Sequence, residues 1–171
     1  MDASPDLIPA LCAATSIHVF GAGLNAERTS HTAVPELRKR GWRVVPVHPR
    51  DAGACIEGVP IRGSVEAGTP LEVAVLFLAP ERARAQVRRL LMTPFETPPL
   101  VWFQPGAEDE IALQWLRDAE WTTVHADCIV RYSERHNLER PVVEVPWYRQ
   151  VADEDGSQCS VWTAHEVDEH A

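Results

Sequence analysis

The stretch that decides the fold is Ser16-Ile17-His18-Val19-Phe20-Gly21-Ala22-Gly23-Leu24-Asn25-Ala26. Its first five residues form a short, β-branched run ended by glycine, which reads as a strand. Gly21 to Ala26 then fit the spacing G-x-G-x-x-G/A. Glycines at these points let the backbone turn tightly and come close to a phosphate. The next helix points its free N–H groups and positive dipole end at the same place. Such a turn can also join strand to helix with no ligand, but its position at the first strand exit favours the phosphate reading.

Working outward, residues 32–40 read as a helix with Val34 and Leu37 on one face, stopped by Gly41. Residues 42–47 are a second strand, broken by Pro49. The glycine-rich residues 51–68 read as a loop with a small helix near Val65. Residues 72–78 are an almost continuous apolar run between Pro70 and Pro80, the mark of a strand buried on both faces. A helix follows over 81–92, with Ala83, Val87, Leu90 and Leu91 as its stripe. Residues 100–103 make a fourth strand, ended by Gln104-Pro105-Gly106. A helix over 108–119 turns Ile111, Trp115 and Leu116 inward, and 122–124 form a short fifth strand. Strand and helix in alternation call for a doubly wound α/β domain with a parallel sheet. Ligands of such sheets bind at the carboxyl ends of the strands. Trp42, Trp102, Trp115 and Trp121 read as core, and His18 as a core or groove residue. Residues 1–15 are read as an N-terminal helix or extension, 16–135 as the ligand-binding domain, and 136–171 as a C-terminal extension. Within the last, 141–148 read as an extended edge segment and the acidic tail after Val151 as loose.

Composition narrows the function. At 171 residues the chain can bury roughly 70% of its unfolded surface without a disulfide or metal staple. Its formal net charge of -9 argues against a nucleic-acid binder with a broad basic face. Arg28, Arg38, Lys39, Arg40, Arg43 and Arg50 nevertheless cluster in the first third, which suits a small anionic ligand as well as a solvated face. No apolar run reaches the ~20 residues needed to span a bilayer, and residues 1–11 lack a basic n-region. A cytoplasmic protein with no membrane partner is expected. Cys12, Cys55, Cys128 and Cys159 are scattered, without zinc-ligand spacing.

The second strand bears on the identity of the ligand. An NAD site wants Asp or Glu at its end to grip the ribose hydroxyls. Residues 42–50 supply no acid but do supply His48 and Arg50, which favours an extra phosphate near the ribose, as in NADP or coenzyme A. The loop to Ser30 carries Arg28, with Ser30 or Thr32 as candidate helix N-caps.

Val19-Phe20-Gly21-Ala22-Gly23-Leu24-Asn25-Ala26-Glu27-Arg28-Thr29-Ser30 and the later Gly41-Trp42-Arg43-Val44-Val45-Pro46-Val47-His48-Pro49 resemble the small bacterial and archaeal CoA-binding proteins. So do Val101-Trp102-Phe103-Gln104-Pro105-Gly106-Ala107 and Cys128-Ile129. Those proteins are similar to the CoA-binding domain of the succinyl-CoA synthetase α subunit. The resemblance implies a three-layer, Rossmann-like parallel sheet of about five strands with helices on both faces. It implies that Gly21, Ala22, Gly23, Asn25, Arg28 and Ser30 embrace the CoA pyrophosphate. Val47, His48, Pro49 and Arg50 would border the adenosine and its 3′-phosphate. Leu78, Ala79 and Pro80 would line the ligand's flank, and Gln104, Pro105 and Gly106 would lie near the pantetheine. Relatives often carry Gly-Ala-Ser where Gly21-Ala22-Gly23 stands, and Asn where His48 stands, so this chain lacks a hydroxyl donor and gains an imidazole.

No catalytic constellation stands out. The synthetase passes phosphate through a histidine in a region this chain does not contain. His125, Asp127 and Cys128 have the types of a base, an orienter and a nucleophile, but they read more simply as a solvated turn. His165 and His170 in the tail give poor support for a metal site. The expectation is a protein that binds CoA or acyl-CoA without turnover, as a metabolite sensor or regulatory binder. An NADP-dependent oxidoreductase is the alternative, though no Tyr-Lys pair is visible. Trp147, Tyr148 and Trp162 suggest cover for an apolar patch or pairing with a second subunit, so a homodimer or an unknown protein partner is the expectation.

Overall fold

The computed structural model describes residues 7–65, 68–140, 148–152 and 159–163. Five parallel strands form the main sheet: β1 (Ser16–Phe20), β2 (Arg43–Val47), β5 (Val73–Leu76), β6 (Leu100–Phe103) and β7 (Thr123–Val124). Their spatial order is β2-β1-β5-β6-β7, with Ile17 opposite both Val44 and Val73. The chain thus leaves β1 toward one edge and returns to build the other. This places the reversal of strand order between β1 and β5, where open α/β sheets form their ligand crevice.

Alternation along each strand sends side chains to two cores. Ile17, Val19, Val44, Val75 and Trp102 pack with Leu11 of α1 (Leu7–Ala13), Val34 and Leu37 of α2 (Thr29–Lys39) and Ile129 of α5 (Ile129–Arg135). On the other face, Phe20, Val45, Leu76 and Phe103 meet Ala83, Val87 and Leu90 of α3 (Pro80–Met92). Ala112, Leu113 and Leu116 of α4 (Glu110–Asp118) complete that layer. The expected three-layer, Rossmann-like arrangement is therefore the observed one.

Several local expectations are corrected. Helix α2 begins at Thr29, three residues early, because the turn Asn25–Arg28 closes on itself through Arg28 N–H donating to Asn25 O. Neither Ser30 nor Thr32 is its N-cap. Residues 51–65 form no helix; β3 (Cys55–Ile56) and β4 (Val59–Pro60) make a small antiparallel hairpin there. Ile111 is exposed, because Asp109 caps α4 through Ala112 N–H and that start turns Ala112, Leu113 and Leu116 inward. Helix α5 was not expected. Packing continues to Arg140, whose N–H donates to Arg40 O. After residue 140, β8 (Tyr148–Ala152) and β9 (Cys159–Thr163) pair as an antiparallel ladder, where Tyr148 was expected to end an edge segment and the residues after Val151 to be loose. The edge segment 141–147 with Trp147, the tail acids, His165 and His170 lie outside the described residues. No helix among the described residues is long and apolar enough to cross a membrane.

Candidate functional site

The glycine turn is pinned between its neighbours. Gly21 N–H donates to Val47 O at the end of β2. Its φ of +92° is one that L side chains rarely adopt, and a Cβ there would stand 2.2 Å from Phe77 O. Glycine is required twice over, for torsion and for contact with the β5 exit. Ala22 is fully buried beneath the turn.

The Gly23–Leu24 peptide that follows is held from both sides. His31 Nδ1, on the first turns of α2, lies 2.9 Å from Gly23 O and donates to it in the Nδ1–H tautomer. On the other side, Leu24 N–H donates to Asp51 Oδ2 at 2.9 Å. A Cβ on Gly23 would meet that carboxylate oxygen at 2.4 Å and the His48 ring at 2.9 Å. The second glycine is therefore the point where an acceptor comes closest to the backbone, and the acceptor found there is a side chain of the protein.

Asp51 is the residue at the glycine turn that sequence reading missed. Residues 42–50 contain no acid, but the turn after β2 folds residue 51 back over the glycines. Asp51 N–H donates to His48 Nδ1 at 3.2 Å, and Asp51 Oδ2 lies 3.5 Å from the same nitrogen. The His-Pro-Arg-Asp run was the available signal: a turn after a strand returns its fourth residue toward the strand end. An acid therefore does stand near the second strand exit, and the absence of one no longer argues against NAD.

The other expected residues fall along the carboxyl edge of the sheet. Asn25 and Arg28 are exposed in the loop, with Asn25 Oδ1 accepting from Glu27 N–H. Ser30 is buried inside the first turn of α2 and does not face solvent. Val47 is buried, His48 half-buried, Pro49 and Arg50 exposed. Arg28 and Arg50 form no ion pair with any described residue, which leaves two cations open to a ligand. Leu78 is half-buried and Ala79 and Pro80 exposed, where α3 starts without a side-chain cap. Helix α2 also lacks one, so no side chain caps the N-terminal amides of either helix that opens on the crevice. Gln104 is 4% exposed, beside the β5 exit through its N–H bond to Leu76 O. Its Nε2 is buried and has no hydrogen-bond partner among the described residues. Pro105 and Gly106 are exposed at the same end.

The His125, Asp127 and Cys128 group does not form a relay. The Asp127 carboxylate is bound by Arg135 at 2.5 Å and accepts from Cys128 N–H, while Asp127 O accepts from Trp102 Nε1. This network fastens the β7–α5 turn to β6. Nearby Glu108 is buried enough to resist ionising, but bonds from its own amide and from those of Gly106 and Ala126 win and hold its carboxyl below the usual range. Among the described residues no group of three or more His, Cys, Asp or Glu could hold a metal.

The model of the CoA binding domain matches residues 15–133, from the start of β1 through most of α5. The chain belongs to the CoA-binding domain family. Solved structures agree on the fold. One is similar at a TM-score of 0.68 and 28% identity, covering 75% of this chain and 95% of a Thermus thermophilus protein. A PH1109 protein redesigned for binding gives 0.68 and 26%, covering 79% and 92% of the two chains. A hypothetical protein from Pyrococcus horikoshii OT3 gives 0.66 and 25%, covering 76% and 89%. No curated protein matches. In this family setting, the buried Gln104 Nε2, without a partner among the described residues, fits a CoA-type ligand, while the space above Gly23 is taken by Asp51 and His48. Such a ligand would have a diphosphate at one end and amides along its arm.

Proposed function

We propose that this protein binds coenzyme A or an acyl-CoA through the pyrophosphate at the β1–α2 turn, without turning it over, and reports its presence to a protein partner. The observation that carries this reading is the Gly23–Leu24 peptide. His31 holds its carbonyl away from the crevice, so its N–H faces an acceptor, and the acceptor there is anionic. Exposed Arg28 and Arg50 flank it, two uncapped helix ends open beside it, and the Gln104 amide supplies a donor farther along the edge. Asn25, His48 and the Leu78–Pro80 segment would complete the walls.

Calorimetry with CoA, acetyl-CoA, NADP and NAD side by side tests it. CoA or its acyl ester should bind best. Arg28→Ala and Arg50→Ala should each weaken binding about ten- to a hundredfold, the effect of one charge-assisted phosphate contact of about 1.5–3 kcal/mol. Preference for NADP, or unchanged affinity in both variants, would overturn the assignment.

A further inference from the structure

We infer that Asp51 is a built-in competitor for the phosphate site: its carboxylate occupies the amide that a ligand phosphate needs and must swing away before ligand enters. The inference rests on the CoA-binding reading and adds to it how that site is gated. Asp51 Oδ2 lies 2.9 Å from Leu24 N and 2.4 Å from where a Gly23 Cβ would stand, so it fills the space above the second glycine. One N–H serves one strong acceptor in line at a time. A phosphate oxygen and this carboxylate therefore exclude each other there, and two anions in one crevice also repel.

The geometry permits release. Among the polar groups of the described residues, the Asp51 carboxylate otherwise meets His48 Nδ1, at 3.5 Å. If His48 Nδ1 accepts the Asp51 N–H at 3.2 Å, it carries no proton to give the carboxylate, so that second contact is not a hydrogen bond in the neutral ring. Side-chain rotation alone frees the amide, because the backbone of the turn is fixed separately. His48 N–H donates to Arg62 O, Gly53 N–H to Ile61 O and Ala54 N–H to Asp51 O. The amide stays aimed when the carboxylate leaves, because His31 grips the opposite side of the same peptide. A binding-competent state that is only a fraction of the population lowers apparent affinity by that fraction. One carboxylate–amide bond makes that fraction about a tenth to a hundredth.

The test is binding of CoA and of inorganic pyrophosphate to wild type, Asp51→Asn and Asp51→Ala, with thermal melts confirming that each variant is folded. Asparagine keeps the shape and removes the charge, so it serves if the alanine variant does not fold. CoA affinity should rise in the order wild type, Asp51→Asn, Asp51→Ala, by about ten- to a hundredfold at the end. Pyrophosphate should bind measurably only to the variants. CoA binding to wild type that is equal in or weakened by both variants overturns the gate and leaves the CoA reading standing, with Asp51 a ligand contact. No CoA binding anywhere, with pyrophosphate gained in the variants, overturns the CoA reading and keeps the gate. Absence of binding by either probe in all three proteins overturns both.

Discussion

His18 gives a direct measure of how dry the interior beside the crevice is. It stands on the interior strand β1, opposite Val45 and Ala74, and is fully buried. Burial, reinforced by the positive charge of Arg62 and opposed by Glu72, pushes its imidazole from 6.5 down to about 4. Above pH 6.5 neither folded nor unfolded chain protonates this ring. As pH falls from 6.5 to about 4 the unfolded chain takes up a proton that the folded chain refuses. Stability is therefore present at neutral pH and lost across that window, by about 3 kcal/mol in total. Below about pH 4 the folded state also binds the proton and the loss stops. The perturbation is His18→Leu, similar in volume and unable to titrate. Urea unfolding of both proteins between pH 7 and 4.5 should give diverging curves. Wild type should fall more steeply, by up to about 1.4 kcal/mol per pH unit within the window. Glu72 does not confuse the result. Burial opposes its ionisation, but bonds from Ser16 and Thr15 hold its carboxyl below 4.5, so its own contribution is lost only at more acid pH. Parallel curves for the two proteins would refute the claim that a neutral imidazole is locked into β1.

Two further substitutions probe the frame of the site. Gly21→Ala should destabilise by more than about 2 kcal/mol, combining the left-handed torsion penalty with a clash against Phe77 O, whereas Gly106→Ala, at the same φ of +92° but with open space around it, should cost about 1 kcal/mol. Equal losses in chemical denaturation would show that the close approach of β1 to β5 is not tight. Asp109→Ala should cost about 2 kcal/mol at pH 7, since it removes the cap of α4 and the bidentate partner of Arg84, while Asp109→Asn, which can still cap, should cost less. The Arg84 bond holds the Asp109 carboxyl below its ordinary 3.8, so its stabilisation is present above that value and disappears as pH falls further; a difference between wild type and Asp109→Asn that grows below pH 3.8 would refute the pairing.

How much of this was legible in the sequence depended on whether the signal was local. The strand–glycine–helix start and the apolar runs 72–78 and 100–103 follow from periodicity and punctuation alone, so the parallel sheet and its strand exits could be placed, but not the strand order that sets the switch point. The hairpin over 55–60 could not be, because two-residue strands have no period to read. Helix α5 was hidden for a similar reason: its seven residues bury only Ile129 and Ser133, and its position comes from Asp127 and Trp102 meeting across 25 residues. The candidate site was legible as a set of strand exits but not in its internal bonding. Ser30 has the right chemistry for a cap, yet the early start of α2 buries it. Asp51 carries no signature in a linear pattern, because its importance comes from a turn that brings it 27 residues back to Leu24.

That missed residue reshapes the argument for the ligand. A formal charge of -9 provides no long-range attraction for a polyanion, and beyond about 8 Å salt screens what Arg28 and Arg50 contribute. Recognition must then rest on short, directional contacts, of which the clamped Leu24 amide is the best oriented. A single free phosphate brings to that amide little that the Asp51 carboxylate does not already supply, and the carboxylate is tethered at high local concentration. A ligand prevails only by bringing contacts that Asp51 lacks. A second phosphate within reach of a guanidinium is one, and an amide carbonyl for the buried Gln104 Nε2 is another. The chain's own competitor therefore selects for long ligands with a diphosphate at one end and amides beyond it, and coenzyme A has that construction.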